Sequence, residues 1–241
     1  MKEDLMNLLR SFNQENPGAY FDQVSDLLLK NFVFKFSDGK NYRLTEIEFY
    51  CVYKNGTNDH PDPYTYYVFS SGKKISHSIP KNCGCWHVHP SGVDITFGKD
   101  GIVCGGVLLR AATLADNVEN KIVKAKDIPG PLLLRNSLFG ATTYASLKEQ
   151  FNSNEEISII EYIEKETIDT PIYKSSRFGL NRRETDHNDY YNRPYRHLTF
   201  MKKTHKGKES IAKYLLRNKD IKLCDQKDIF GYTIVKCNKV N

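Results

Sequence analysis

Glu46 and Glu48 alternate with Ile47 and Phe49. In a strand, that spacing points both carboxylates to one face and both apolar side chains to the other. A carboxylate held this way can take a proton from water, with the second acid nearby to position it. The bland reading of the same alternation is an edge strand with a solvated polar face. Arg110 is the one charge in the apolar run Gly106-Val107-Leu108-Leu109-Arg110-Ala111, and a buried guanidinium requires a partner. It is expected to face Glu48, either within a site or as a structural ion pair. Asp94 is another lone acid, set in Gly92-Val93-Asp94-Ile95-Thr96-Phe97. Cys83, Cys85, His87 and His89 alternate as well. Structural zinc sites draw ligands from two elements with two to four residues inside each pair. Four same-face residues on one straight strand instead span about 20 Å, at roughly 3.3 Å per residue. No metal is expected.

These residues need a sheet to position them, and the pattern supplies one. Two amphipathic helices, over 2–13 and 20–30, flank the breaker Asn16-Pro17-Gly18. A strand over 32–36, the turn Ser37-Asp38-Gly39-Lys40 and a strand over 42–53 read as a hairpin. After a polar loop at 55–63, strands are expected over 64–69, 85–97 and 102–111. Pro129-Gly130-Pro131 precedes a short buried helix at Leu132-Leu133-Leu134. Strands over 157–163 and 196–201, a helix over 208–216 and a last strand over 232–237 complete the pattern. The expected fold class is α+β, a single, mainly antiparallel β core with surrounding helices.

A chain of 241 residues can bury one sizeable core without covalent staples. It has no apolar run near the roughly 18 residues of a membrane span. Met1 to Phe12 lacks the continuous apolar stretch of a signal peptide. A cytoplasmic location and reduced thiols for the six cysteines are expected. The net charge of +6 is unevenly placed: residues 202–241 carry eleven Lys/Arg and four Asp/Glu, so the first 201 sum to −1. That segment suits phosphate contacts or forms a solvated face.

Several fragments, read in order, resemble the alkyladenine (3-methyladenine) DNA glycosylase family. Tyr20-Phe21-Asp22-Gln23 with Leu27-Leu28-Leu29 is similar to its N-terminal helix, and Arg43-Leu44-Thr45-Glu46-Ile47-Glu48-Phe49-Tyr50 to its strand carrying E-T-E-A-Y. Gly106 to Ala111 is similar to its V-L-L-R-A strand, and Gly130-Pro131 with Leu134 to a G-P-x-x-L helix start. Arg177-Phe178-Gly179-Leu180 and Arg193-Pro194-Tyr195-Arg196 resemble two later motifs. Together they cover roughly residues 20 to 201, implying a glycosylase-like domain over 1–201 and a basic C-terminal extension over 202–241, packed on it or appended to it.

The resemblance implies a monofunctional hydrolase of the N-glycosidic bond of damaged purines, acting by base flipping. Glu48 takes the place of the catalytic glutamate that activates water, and Arg110 helps hold that water. Tyr50, Tyr66 and Asp94 are then expected to contact the extruded base, and Ser91, Arg177 and Arg196 the nucleic acid. No cofactor is called for. The expected partner is DNA, single-stranded or as a damaged duplex, with no membrane, and the protein is expected to be a monomer. Two departures bear on substrate. Tyr66 stands where the family has a histidine, and Ser91 stands where it has a tyrosine wedge. Losing the histidine suits an already cationic base, which leaves readily. Losing the wedge favours single-stranded targets, where no gap must be filled. Alternatives are an N-glycoside hydrolase acting on RNA, a nucleoside or a nucleotide, and a non-catalytic nucleic-acid-binding protein of the same fold.

Overall fold

The structure is a computed structural model that describes residues 2–13, 15–53, 59–65, 83–99, 103–115, 127–140, 145, 147 and 168–236. Helix α1 spans Lys2–Arg10 and α2 Pro17–Asp26, the latter running into a π turn at Leu27–Asn31. Asn16-Pro17 starts α2: the Asn16 side chain accepts a hydrogen bond from the Ala19 N–H, and Pro17 takes the first helical turn, where its missing N–H costs nothing. The strands are β1 (Phe34–Lys35), β2 (Asn41–Tyr53), β3 (His60–Pro61), β4 (Trp86–His89), β5 (Gly92–Lys99), β6 (Val103–Leu114), β7 (Ile128–Pro129), β8 (Tyr173–Ser175) and β9 (Arg196–Leu198). Helices α3 (Pro131–Phe139), α4 (Lys208–Arg217) and α5 (Gln226–Phe230), with a 3-10 turn at Leu223–Asp225, complete the described elements.

Among the described residues, all nine strands join one sheet, in the order β4-β5-β6-β2-β9-β8, with β1 and β3 on β2 and β7 on β6. Every pairing is antiparallel. The architecture is therefore α+β, with helices around a mainly antiparallel sheet. Strand β2 is internal, between β6 and β9, so the edge-strand reading of its alternation does not hold. The expected strand over 85–97 is instead a hairpin, β4 turning at Pro90-Ser91 into β5. Residues 232–236 are irregular rather than a strand. The expected strand over 157–163 and most of the one over 64–69 lie outside the described residues.

The two faces of the sheet differ sharply. One presents Ile47, Phe49, Ile95, Phe97, Val107 and Leu109, which pack with Leu5, Leu9, Phe21, Val24 and Leu28 of the N-terminal helices. Phe21 stacks on Phe49 at 4.3 Å between ring centroids. The other face presents Glu46, Glu48 and Tyr50 of β2, Leu108 and Arg110 of β6, and Asp94 of β5. The row Glu48, Leu108, Asp94, His87 follows directly from the register of four neighbouring strands. At the β8 end, Leu198 and Met201 bury with Ile211, Ala212, Leu215 and Phe230 in a second, smaller core. Among the described residues, no helix is long and apolar enough to cross a membrane.

Candidate active site

Register shifts in the β2–β6 pairing fall between Leu44 and Glu46 and between Glu46 and Ile47, leaving Arg110 opposite no residue of β2. Such irregularities bend a strand and re-aim a side chain. The Arg110 guanidinium spans both acids: its Nε donates to Glu46 Oε1 at 2.7 Å and its Nη1 to Glu48 Oε2 at 3.0 Å. Glu46 also receives Arg196 Nε at 2.9 Å and His205 Nδ1 at 3.1 Å. Burial alone would raise its pKa, but Arg196, the His205 hydrogen bond and Arg110 together hold it at about 2. Glu46 is the structural anchor of the cluster.

Glu48 differs. Its side chain is 0% exposed, and besides Arg110 it accepts the Tyr50 hydroxyl at 2.8 Å and the Phe178 backbone N–H at 2.7 Å. Burial, with Glu48 adding to it, pushes the Tyr50 phenol well above its ordinary pKa, so it stays a donor. A carboxylate has about four acceptor positions. Three direct donors leave one acceptor position, with Arg196 Nε 3.9 Å from Oε1.

Beyond Tyr50, Arg110 and Phe178, the three donors to Glu48, lies a cavity of about 330 Å³, within the roughly 300–1,000 Å³ typical of small-ligand sites. Tyr50, Tyr64, Phe178 and Leu180 wall it with Leu108 and Pro131, while Arg110, Arg183 and Lys206 bring positive charge. Asp94, His89 and Ser91 line it from the β4–β5 hairpin. Asp94 Oδ2 accepts His87 Nδ1 at 2.9 Å, and His89 Nε2 lies 3.5 Å from Oδ1. Burial opposes ionisation of Asp94, yet His89 and His87 hold its carboxyl well below the usual carboxylate range. Gly106 lies beneath it, where an added Cβ would come within 3.1 Å of the Asp94 side chain.

Of the expected site residues, Glu48, Arg110, Tyr50, Asp94 and Ser91 converge here: four line the cavity and Glu48 sits behind its wall. Tyr66 lies outside the described residues. Arg177 and Arg196 correct the expectation of direct nucleic-acid contact, because both are buried and committed. Arg177 pairs with both oxygens of Asp62, at 2.6 and 3.1 Å, donates to the Phe49 and Tyr190 carbonyls, and lies 4.6 Å from the Tyr50 ring. It braces Tyr50 from behind. Arg196 is held by Glu46 and the Lys206 carbonyl. Tyr64, Phe178, Arg183, His205 and Lys206 join the site without a signal of their own in the sequence. The turn residues Pro90-Ser91-Gly92 were the signal that could have brought His87 opposite Asp94.

Lys206 and His205 follow residue 201, so the basic segment itself reaches the site. Among the described residues, no group of three or more His, Cys, Asp and Glu is placed to hold a metal ion. No protein-family model matches the chain, and no curated protein matches it in sequence.

Proposed function

We propose that the protein hydrolyses the N-glycosidic bond of a purine turned out of a nucleic acid into this cavity, in the manner of an alkyladenine DNA glycosylase. The observation that carries the reading is the triangle behind the cavity wall: Glu48 bound by Arg110 Nη1 and the Phe178 N–H, with Tyr50 donating to it from the wall. Bond cleavage leaves positive charge on the sugar, which a desolvated carboxylate stabilises; the same carboxylate accepts the proton of the attacking water. Glu48 lies behind the wall with Tyr50, Arg110 and Phe178 between it and the cavity, so water reaches its remaining acceptor position as the Tyr50 side chain gives way. Tyr50 and Tyr64 supply aromatic faces for the base, a contact worth on the order of 1–3 kcal/mol. Arg183 and Lys206 at the cavity suit the flanking phosphates, which position without specifying sequence.

Ser91 cannot fill the gap left by an extruded base, and single-stranded DNA or a damaged duplex is the proposed substrate. Leu132 and Leu133, 46% and 51% exposed, follow the cavity residue Pro131 and offer an apolar wedge beside Ser91. Ser91 also favours a second reading, a hydrolase of free nucleotides, which needs no wedge. The test is release of free base by the purified protein from alkylated single- and double-stranded oligonucleotides, against the matching nucleotide monophosphates. Release from the oligonucleotides supports the first reading, and release from monophosphates alone the second.

A further inference from the structure

Among the described residues, three large apolar or aromatic side chains are exposed: Leu132, Leu133 and Tyr232. The leucines follow Pro131 of the cavity wall. Tyr232, 53% exposed, lies in the C-terminal extension, outside the stretch that resembles the glycosylases. The segment 202–208 joins the two places. At one end the Lys206 side chain crosses Gly130, where an added Cβ would come within 2.6 Å of its Nζ, and reaches the cavity. At the other, the Lys208 ammonium stands 5.5 Å from the centre of the Tyr232 ring and 3.5 Å from the Lys202 carbonyl oxygen. Lys202 runs beside Gly231, its Cγ 3.9 Å from where a Cβ would stand. Lys202 and Lys206 are exposed. Three lysines and one aromatic ring therefore form a track leading away from the cavity mouth.

The backbone beneath the track is pinned. Asp127 accepts the Thr204 N–H at 2.8 Å and its hydroxyl at 2.9 Å, Arg196 donates to the Lys206 carbonyl at 2.7 Å, and His205 is bonded to Glu46 at 3.1 Å. A segment held at these points binds without first ordering a loop, which lowers the entropic cost of association. Lysines beside an exposed ring match the chemistry of a single strand: ammonium groups neutralise phosphates, and the ring offers its face to an unpaired base. In a duplex the bases are paired and stacked on one another, and no base face is open to Tyr232. We infer that this track binds single-stranded DNA next to the nucleotide in the cavity, with one unpaired base stacked on Tyr232. The track stands on its own charge and geometry, while its service to the cavity rests on the glycosylase reading. The C-terminal extension thereby selects single strands over duplex by attraction, independently of the small side chain at Ser91.

The experiment measures, by fluorescence anisotropy, binding of labelled single-stranded and duplex oligonucleotides to the full chain as wild type, Tyr232→Ala, Tyr232→Phe and the double variant Lys202→Gln with Lys208→Gln. Loss of one base–aromatic stack is expected to weaken single-strand binding roughly 5- to 150-fold in Tyr232→Ala. Tyr232→Phe, which keeps the ring, is expected to retain the wild-type affinity, and duplex binding is expected to stay unchanged in both. Removing two phosphate contacts is expected to flatten the salt slope by about 1.4, at about 0.7 per phosphate of a single strand. The emission of Tyr232→Trp is expected to fall when single strand is added, over a constant signal from the buried Trp86. Unchanged single-strand affinity in Tyr232→Ala, an equal loss on duplex, or an unaltered Tyr232→Trp emission overturns the inference. Base release from alkylated single strands by Tyr232→Ala at the wild-type rate and affinity does so while leaving the glycosylase reading standing. Tyr232-dependent binding by a wild type that releases no base overturns the glycosylase reading and supports the track.

Discussion

Ile47 and Glu46 are neighbours on β2, equally buried, yet they belong to two different kinds of interior. Ile47 sits in a continuous apolar core under the N-terminal helices. Glu46 gathers Arg110, Arg196 and His205 from three distant parts of the chain. An apolar core is held by area and volume and tolerates a change of shape. A buried charge cluster is held by matched partners, and removing one leaves the others desolvated and uncompensated. The difference teaches why the cavity sits where it does. The carboxylates and the guanidinium that back the cavity gather on the charged face, and the apolar face is the platform beneath them.

The sharpest way to break this contrast is a pair of size-conserving substitutions. Glu46→Gln is expected to cost about 3–5 kcal/mol, because the buried Arg110 and Arg196 lose their shared anion. Ile47→Leu should cost less than about 1.5 kcal/mol. Urea unfolding midpoints at constant slope measure both. Equal costs would mean that the cluster is solvated and the two faces are not distinct.

Acidification separates the faces by pH window. His60 and His197 are buried near the aromatic core, and burial lowers each pKa to about 4. Both are neutral when folded and charge more readily when unfolded, near 6.5. Their contribution is full above pH 6.5 and is lost as pH falls towards 4, by up to about 3 kcal/mol each. Glu46, with its pKa depressed to about 2, contributes above pH 4.5 and fades below that. Unfolding midpoints should therefore decline first between pH 6.5 and 4, and His60→Gln combined with His197→Gln should remove that first decline. A decline beginning only below pH 4.5 would assign acid sensitivity to the charged face alone.

The smallest expected effect concerns the cavity mouth. Extruding a base from a perfect duplex costs a few kcal/mol more than from a single strand. Ser91→Tyr should recover about 1 kcal/mol of that, narrowing the single-strand to duplex rate ratio severalfold, as read by parallel base-release assays. A ratio that does not move would place the wedge elsewhere, with Leu132→Ala and Leu133→Ala the next substitutions to measure.

Much of the charged face was legible in the chain because strand alternation is local. Glu46, Glu48 and Tyr50 fall on one face by spacing, and Arg110 announced itself as a charge in an apolar run. Partner identity was not local. Arg177 meets Asp62 across 115 positions, Arg196 meets Glu46 across 150, and His205 meets it across 159. No periodicity encodes such pairings, which explains why two arginines expected to contact nucleic acid are internal braces. The fold-back that sets His87 against Asp94 has a local signal: apolar residues stand at even positions at Trp86 and Val88 and at odd positions at Val93, Ile95 and Phe97, so the alternation changes phase at the Pro90-Ser91 turn. Asn16-Pro17 reads equally as a breaker or as a helix start, and the side-chain cap decides for the latter.

The central claim is that the carboxylate behind the cavity performs the chemistry. Glu48→Gln keeps the shape and the acceptor for Phe178 but cannot take a proton from water. With alkylated single-stranded oligonucleotide as substrate, base release is expected to fall at least about 100-fold, while binding to an abasic-site mimic is largely retained. Wild-type protein that releases no base, or a Glu48→Gln variant that releases it at an undiminished rate, would contradict the account.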